Sequence, residues 1–240
     1  MISRICVIVP AASEEDHIGP CLSSIMAARD LLYRSAPDVP VQVVVVLDSC
    51  ADGTAETAAT AGEVTLVPVS ARCVGAARRA GAAAALTGNQ PARELWLAST
   101  DADCEVPPGW LAGMLALATG GADLVLGTVL PGSGLSPALR ARWLRNHQLR
   151  DGHPHVHGAN LGIRGDAYLA LGGWQPMVTG EDVDLAARAC AAGWVRISRT
   201  AAIPVLTSVR QAGRAPRGFS SYLRAMAQSA DPAGLMAPAD

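Results

Sequence analysis

The sequence of 240 residues contains no lysine, so arginine supplies all 19 of its positively charged side chains. This absence excludes chemistry that needs a side-chain amine, such as a lysine Schiff base. It also excludes a complete P-loop, whose Gly-Lys-Ser/Thr ending places a lysine on the phosphates of a nucleotide. A net charge of −2 and a pI near 6.2 argue against a general nucleic-acid binder.

Long apolar runs and closely spaced cysteines are lacking as well. No stretch approaches the roughly 18 apolar residues of a membrane helix, and the N-terminus has neither the length nor the cleavage site of a signal peptide. The six cysteines are scattered, without CxxC or zinc-type spacing. These features predict a cytoplasmic protein with reduced thiols and no transmembrane segment.

The charges are distributed unevenly along the chain. Residues 1–139 carry seven arginines and 14 acidic residues, whereas residues 140–240 carry 12 arginines and seven acidic residues. An acidic first half suits a bound cation, and a basic second half suits a phosphate, an anionic acceptor or a membrane surface. Solvated, scattered arginines explain the same counts. Peripheral membrane contact therefore stays open.

Apolar runs of strand length alternate with helical segments over the first 130 residues. The runs are Ile5–Pro10, Val41–Asp48, 64–69, 95–100 and 122–129. Helices are predicted between them, the first with Ser13 as its N-cap. This order predicts a single α/β domain with a mostly parallel, Rossmann-like sheet covered by helices on both faces. In such sheets the ligand binds at the carboxyl ends of the strands.

From residue 131 the pattern becomes irregular and more polar. A basic helix is predicted over 136–150, a strand over 155–165, helices over 166–173 and 181–193, and a strand over 194–198. The segment 210–240, rich in Gly, Pro, Ser and Arg, is predicted to be flexible. Its arginines are interpreted either as a mobile lid or as solvated charges, namely Arg210, Arg214 and Arg217.

Two aspartates with one residue between them, Asp101 and Asp103, follow the fourth strand-like run. Crowded carboxylates are costly unless a cation or a proton is present. Mg²⁺ takes one or two protein carboxylates and fills its other positions with substrate phosphates and water. By itself the motif has a plain structural alternative, in which one aspartate caps the following turn and the other is solvated.

Six segments in order along the chain resemble family 2 of the glycosyltransferases, which have the GT-A fold. They are VIVPAASEEDHI, VVVLDSCADGTAE, GAARRAG, STDADCEVPPGWL, GANLGIRGDAYLALGGW and TGEDVDLAARACAAGW. The resemblance implies a metal-dependent, inverting transfer of a sugar from a nucleotide-sugar donor to an acceptor hydroxyl. It divides the chain into a donor-binding half, 1–130, and an acceptor-binding and catalytic half, 131–209, followed by the segment 210–240.

On the donor side, the resemblance assigns roles residue by residue. Three residues are expected to line the pocket for the base and the ribose: Pro10, Glu14 and Asp48. Arg78 is expected near the diphosphate, and Asp101 is expected to face the ribose and the metal. Asp103 is expected to bind the metal, Mg²⁺ or Mn²⁺, which bridges the two phosphates.

On the acceptor side, the resemblance makes Asp182 the general base that takes the proton of the acceptor hydroxyl. Glu181 is expected to orient that hydroxyl or Asp182 itself. The alternative is that both acids favour the first turn of a helix. Acceptor contacts are predicted for His157, Asn160 and Trp174. Trp174 could stack on the acceptor or on the donor's sugar, and it is equally interpreted as an ordinary half-buried tryptophan.

Three histidines occupy alternate positions in the segment GHPHVHGAN, namely His153, His155 and His157. In a strand, all three would share one face. Either they form a metal cluster or they line a polar cleft wall, and the absence of zinc-type spacing favours the wall.

Two other functions are weighed against sugar transfer. A nucleotidyltransferase on a similar sheet needs a glycine-rich, basic loop after the first strand, but PAASEED is acidic there. An NAD enzyme needs GxGxxG at that position, and this motif is absent. A degenerate module that binds a sugar nucleotide without catalysis is the other alternative, and the presence of both the DxD motif and Asp182 argues against it.

Overall fold

A computed structural model describes residues 1–88, 90–209 and 225 of the chain. Its strands are β1 (Arg4–Ala11), β2 (Val41–Asp48), β3 (Thr65–Val69), β4 (Leu95–Ser99), β5 (Cys104–Glu105), β6 (Leu124–Pro131), β7 (Leu161–Arg164) and β8 (Ile197–Thr207). Its helices are α1 (Ile18–Tyr33), α2 (Thr54–Thr60), α3 (Val74–Ala85), α4 (Trp110–Thr119), α5 (Pro137–Asn146), α6 (Gly165–Ala170) and α7 (Glu181–Ala192). Short 3₁₀ turns span Ala92–Glu94 and Gly158–Asn160.

All eight strands join one sheet with the order β3-β2-β1-β4-β7-β6-β8-β5. The pairs β1–β2, β1–β4, β2–β3 and β6–β8 are parallel. Strand β7 runs antiparallel to both β4 and β6, and the short β5 runs antiparallel to β8. The predicted single α/β domain with a mostly parallel sheet is confirmed, with β7 as its antiparallel centre.

The core lies on both faces of the sheet, because the strands are apolar on both sides. Along β1, Val7 and Val9 pack on the face covered by α1 and α4, while Cys6 and Ile8 pack on the face covered by α3, α6 and α7. This alternation follows from the two-residue repeat of a strand. Helices on both faces are confirmed, and they leave the strand ends as the place for a ligand.

The first helix begins later than its sequence predicts. Ser13 has φ of +57°, which is incompatible with a right-handed helical start, and α1 begins at Ile18 with His17 as its N-cap. The polar residues before it bind the neighbouring loop instead. Ser13 Oγ accepts from the Ala51 N–H at 3.1 Å, and the Glu15 carboxylate accepts from the Gly53 N–H at 2.8 Å. The prediction of Ser13 as the helix cap is therefore wrong.

The second half also departs from its predicted elements. The strand expected over 155–165 is confined to β7, because residues 158–160 form a 3₁₀ turn directly before it. The chain before this turn binds Arg199, whose Nη1 donates to the carbonyls of residues 153, 154 and 155 at 3.0–3.3 Å. Strand β8 extends to Thr207. Among the described residues no helix is long and apolar enough to span a membrane. Apart from the helical Ala225, the segment 210–240 and its arginines lie outside the described residues.

Candidate active site

The carboxyl ends of β2, β1 and β4 lie side by side, because these three strands are parallel neighbours. Asp48 is the last residue of β2, Pro10 lies near the end of β1, and Asp101 follows β4 by two residues. The expectation that strand ends gather these acids at one edge is confirmed. Among the described residues, the three non-glycine residues with positive φ lie in the loops after β1, β2 and β3, namely Ser13, Ser49 and Arg72. Such backbone conformations concentrate at functional sites.

The loops after β1 and β2 are joined by hydrogen bonds. Glu14 is 6% exposed, its N–H donates to Thr54 Oγ1 at 2.7 Å, and its carboxylate lies 3.5 Å from Nδ1 of His17. Pro10 is half-buried beside this loop pair. The structure thus places Pro10 and Glu14 at the same edge, where a nucleoside pocket is expected, and their contact with a base or ribose stays a prediction.

Asp48 has a structural task at this edge. Its carboxylate accepts the N–H groups of Ala71, Arg72 and Cys73, each at 2.8 Å, and the side chain is 5% exposed. Three converging backbone donors form a compact anion site. Asp48 therefore holds the loop that leads into α3, and its expected contact with the nucleoside remains a prediction.

Asp101 and Asp103, here called the strand-end pair, lie with Cys104 in a group whose ligand atoms are all within 4.8 Å of one another. Both aspartates are half-exposed, whereas Cys104 is buried. Burial, and then the charge of Asp103, raise the pKa of the Cys104 thiol well above its usual range. The thiol stays protonated and lies 3.6 Å from Asp103 Oδ1, to which it donates. The two carboxylates are hard oxygen ligands and fit Mg²⁺ or Mn²⁺.

Arg78 lies in the interior beside this pair, with 3% of its side chain exposed. Its Nε donates to Ser99 Oγ at 3.0 Å and one Nη to Asp101 Oδ1 at 2.5 Å. Its other Nη forms an ion pair with Glu181. In the structure the donors of Arg78 are directed to the Ser99 hydroxyl and to the carboxylates of Asp101 and Glu181, and its expected place near a diphosphate stays a prediction.

Glu181 and Asp182, here called the helix-start pair, open α7. Glu181 is 2% exposed and does not face solvent, and the expectation that it orients an acceptor hydroxyl or Asp182 itself stays a prediction. Asp182 is half-exposed. Its Oδ2 accepts the Gly158 N–H at 2.6 Å and its Oδ1 accepts the Val183 N–H at 2.9 Å. These two bonds fix the orientation of the carboxylate at the start of α7.

Two of the predicted acceptor contacts are buried and need correction. Asn160 Oδ1 accepts from Trp110 Nε1 at 2.9 Å, and its Nδ2 donates to the Thr128 and Ile203 carbonyls, both at 2.8 Å. Trp174 is fully buried, with its ring centroid 5.1 Å from that of Tyr168. Asn160 bridges strands and Trp174 fills the core, so neither reaches an acceptor in this structure.

The third predicted acceptor contact, His157, is half-buried at the end of a row of stacked rings. The distance between ring centroids is 5.8 Å for His157 and His155 and 5.1 Å for His155 and His147. His147 in turn stacks on Trp143, with 3.8 Å between the ring centroids. Burial, followed by the nearby histidines, lowers the pKa of His155 to about 4. Within residues 1–88 and 90–209 no histidine belongs to a group that could hold a metal. The row is a structural stack beside the site.

Three site residues escape sequence reasoning, namely Ser99, Cys104 and Gly158. Ser99 and Cys104 flank the DxD motif, but nothing in their spacing reveals a polar contact with Arg78 or Asp103. The need for glycine at position 158 becomes visible only in the folded structure. A Cβ there would lie 2.5 Å from an Nη of Arg78, so only glycine lets this backbone reach both Arg78 and Asp182.

The mostly parallel sheet with the antiparallel β7 at its centre matches the GT-A fold of solved glycosyltransferases. Among solved structures, glucosyl-3-phosphoglycerate synthase from Mycobacterium tuberculosis is similar, with 19% identity, a TM-score of 0.56, and coverage of 93% of this chain and 76% of that one. A mannosyltransferase from Pyrobaculum calidifontis, solved with GDP-Man and Mn²⁺, has 21% identity and a TM-score of 0.59, covering 95% of this chain and 66% of that one. These identities establish likeness of fold alone.

The family is shown by sequence. The family model "Glycosyl transferase family 2" matches residues 6–168, and the chain belongs to this family of glycosyltransferases. The match covers the segments that contain the strand-end pair and Arg78, but stops before the helix-start pair. No curated protein matches the chain.

Proposed function

We propose that the protein transfers a sugar from a nucleotide-sugar donor to an acceptor hydroxyl, with inversion at the anomeric carbon and with help from a divalent cation. The observation that carries the proposal is the meeting of the strand-end pair and the helix-start pair on one buried arginine, Arg78. Residues 80 positions apart in sequence are thereby held in one site. Membership in glycosyltransferase family 2 supports the reaction class.

Asp182 is the proposed general base. Its half-exposed carboxylate can accept the proton of an acceptor hydroxyl. The hydroxyl oxygen then attacks the anomeric carbon while the bond to the diphosphate oxygen breaks, and the nucleoside diphosphate leaves on the opposite face. The hydrogen bond from the Gly158 N–H fixes the direction of the Asp182 carboxylate for this step.

Asp101 and Asp103 are the residues that would hold Mg²⁺ or Mn²⁺, since they are half-exposed carboxylates within reach of a common ion. A bound divalent cation supplies neutralisation of the charge on the leaving diphosphate. The mannosyltransferase solved with GDP-Man and Mn²⁺ supports this pairing of donor and metal by analogy of fold. A cytoplasmic location and peripheral membrane contact stay predictions.

A screen of UDP-, GDP-, ADP- and dTDP-sugars by thermal shift, with Mn²⁺, with Mg²⁺ and with EDTA, tests the donor and the metal together. A matching donor should raise the melting temperature, because it binds the folded state alone. The increase should require metal, because the proposed cation joins the donor's diphosphate to Asp101 and Asp103. The anomeric configuration of the product, read by proton NMR of the isolated glycoside, tests inversion. A retained configuration would overturn the inverting part of the proposal.

The two alternatives give different outcomes in the same screen. A non-catalytic module binds a sugar nucleotide but neither hydrolyses nor transfers it over long incubation. A nucleotidyltransferase releases pyrophosphate from a nucleoside triphosphate in the presence of a sugar phosphate. Either result would replace sugar transfer as the function.

A further inference from the structure

The side chain of Arg78 contacts three separate parts of the candidate site. It reaches Ser99 and Asp101 at the end of β4 and Glu181 at the start of α7. Its guanidinium also lies directly against the backbone of Gly158, where a Cβ would come within 2.7 Å of Nη1, Nη2 and Cζ. The Gly158 N–H in turn donates to Asp182. One buried cation thus links the strand-end pair to the helix-start pair.

The burial of this cation and of Glu181 makes the link rigid. Both side chains are 3% exposed. A buried charge that loses its partner is costly, so each group requires the other. Asp101 differs because 37% of its side chain is exposed, so it can accept from Arg78 and still face a ligand. The arginine is thus anchored in the interior and directs an exposed carboxylate.

The chemistry of this position requires arginine. A guanidinium is planar and carries five N–H donors in a fixed fork, which suits simultaneous bonds to Ser99, Asp101 and Glu181. An ammonium group is a compact charge on a flexible stem and lacks this fork. A lysine at this position therefore keeps the charge and loses the geometry.

We propose that Arg78 is a positioning residue that sets the orientation of Asp101 relative to Asp182, and that Glu181 acts as its buried anchor. This inference rests on the proposed function, since the placement of the donor relative to the base matters only if the protein transfers a sugar from that donor to an acceptor. It assigns Arg78 no contact with the diphosphate and Glu181 no contact with the acceptor. Misplacement of reacting groups by about 1 Å costs on the order of 100-fold in rate.

Matched arginine substitutions test the role. Arg78→Lys keeps the charge, and Arg79→Lys makes the same change one position along α3 at an exposed side chain. We expect Arg78→Lys to lower kcat by roughly 10–100-fold, with a smaller change in the KM of the donor. Arg79→Lys should change kcat by less than about twofold, as expected of a surface position. A role in folding alone predicts a lower melting temperature and the parent's kcat in the folded fraction.

A second set of variants addresses the ion pairs without any substrate. Arg78→Met combined with Glu181→Met removes the two buried charges together, which leaves no unpaired charge in the interior. Asp101→Asn is then measured in the parent and in this double variant. If Arg78 holds Asp101, Asp101→Asn lowers the melting temperature in the parent and leaves that of the double variant unchanged. Equal shifts in the two backgrounds would overturn the proposal.

The two sets separate this inference from the proposed function. A parent protein that transfers no sugar from any nucleotide donor refutes the function, whatever the melting temperatures show. An active parent whose Arg78→Lys variant is folded and retains kcat within twofold refutes the positioning role alone. Parallel loss of kcat and of the Asp101 coupling supports both.

Discussion

The strand-end pair and the helix-start pair each contain one carboxylate that contacts Arg78, but the two pairs have different surroundings. Asp101 is 37% exposed, whereas the side chain of Glu181 is 3% exposed. The strand-end pair follows a buried parallel strand, and the helix-start pair opens a helix after a glycine with φ of +81°. The strand-end pair has two half-exposed carboxylates and suits a ligand that arrives from solvent, whereas the helix-start pair joins the half-exposed Asp182 to the buried Glu181 and suits a fixed reactive group.

The two pairs differ in which of their atoms are held by partners distant in sequence. The strand-end pair follows β4 directly, and its backbone is also held by distant residues, since the Cys21 thiol donates to the Asp101 carbonyl at 3.3 Å and the Ser208 N–H donates to the Asp103 carbonyl at 3.0 Å. The helix-start pair relies on Gly158 for a hydrogen bond to Asp182 and on Arg78 for a partner of Glu181. The loop before α7 is also pinned to α3, since the Gly75 N–H donates to the Met177 carbonyl at 3.1 Å. Both pairs therefore depend on partners far along the chain, and in the helix-start pair such partners hold the carboxylates of both Glu181 and Asp182.

The largest expected effect separates catalysis from binding at the helix-start pair. Asp182→Asn keeps the shape of the side chain and removes the proton acceptor, so kcat should fall by roughly 10²–10⁴-fold. Donor affinity should stay close to that of the parent, because the strand-end pair is untouched. Turnover and donor affinity are measured on the same preparation. Turnover within a few-fold of the parent, where chemistry limits the rate, would rule out Asp182 as the base.

The matching change at the strand-end pair should affect binding first. Asp103→Ala removes a proposed metal ligand, and metal-dependent donor affinity should fall by roughly 100-fold or more. The melting temperature without ligand should change little, since Asp103 is half-exposed. Calorimetry with Mn²⁺ and the donor found in the screen measures the change. Unchanged metal-dependent binding would contradict the assignment of Asp103.

A change at Asp48, the last residue of β2, should lower the stability of the protein. Asp48→Asn weakens three hydrogen bonds from the backbone N–H groups of residues 71–73. The free energy of unfolding should fall by about 2–3 kcal/mol, because bonds to a buried charged acceptor are strong. Denaturant unfolding measures it, with Asp38→Asn at an exposed turn as the control. A stable variant with weakened donor binding would instead favour the nucleoside contact.

The smallest expected effect is a loss of stability at acidic pH, caused by the histidine stack that adjoins the helix-start pair through Gly158. Burial, followed by neighbouring histidines, lowers the pKa of His155 from 6.5 to about 4, and burial also lowers that of His153. Below pH 6.5 the unfolded chain binds more protons than the folded chain, so this stability is present above pH 6.5 and is lost as the pH falls towards 4. The melting temperature should drop by roughly 4–8 °C between pH 7 and pH 5.

A variant that cannot titrate checks this origin. His155→Phe keeps an aromatic ring in the stack and removes the ionisable group. Its melting temperature should depend less on pH than that of the parent over the same range. Hydrogen exchange should show earlier opening at Gly158 than at β4 when the parent is acidified, because the stack leads directly into Gly158. Identical pH profiles for the two proteins would remove the stack as the cause.

Much of the fold follows from local pattern. The apolar runs at Ile5–Pro10 and Val41–Asp48 predict buried parallel strands because their residues are β-branched and apolar on both faces. The ends of such runs also place Asp48 and Asp101 at one edge of the sheet. The start of α1 is different, since Ser13 resembles a helix cap in sequence but adopts a positive φ to bind the next loop. That choice depends on a partner 38 residues away.

The sequence by itself thus determined the α/β class, the strand-end position of the acids and the family, since periodicity and motif spacing are local properties of the chain. The tertiary structure decided which of the singled-out residues share a site. It buried Asn160 and Trp174, and it turned Arg78 towards Asp101 and Glu181. The physical reason is that burial and ion pairing depend on which elements pack together. The residues next to a side chain in sequence do not reveal a partner that lies far along the chain.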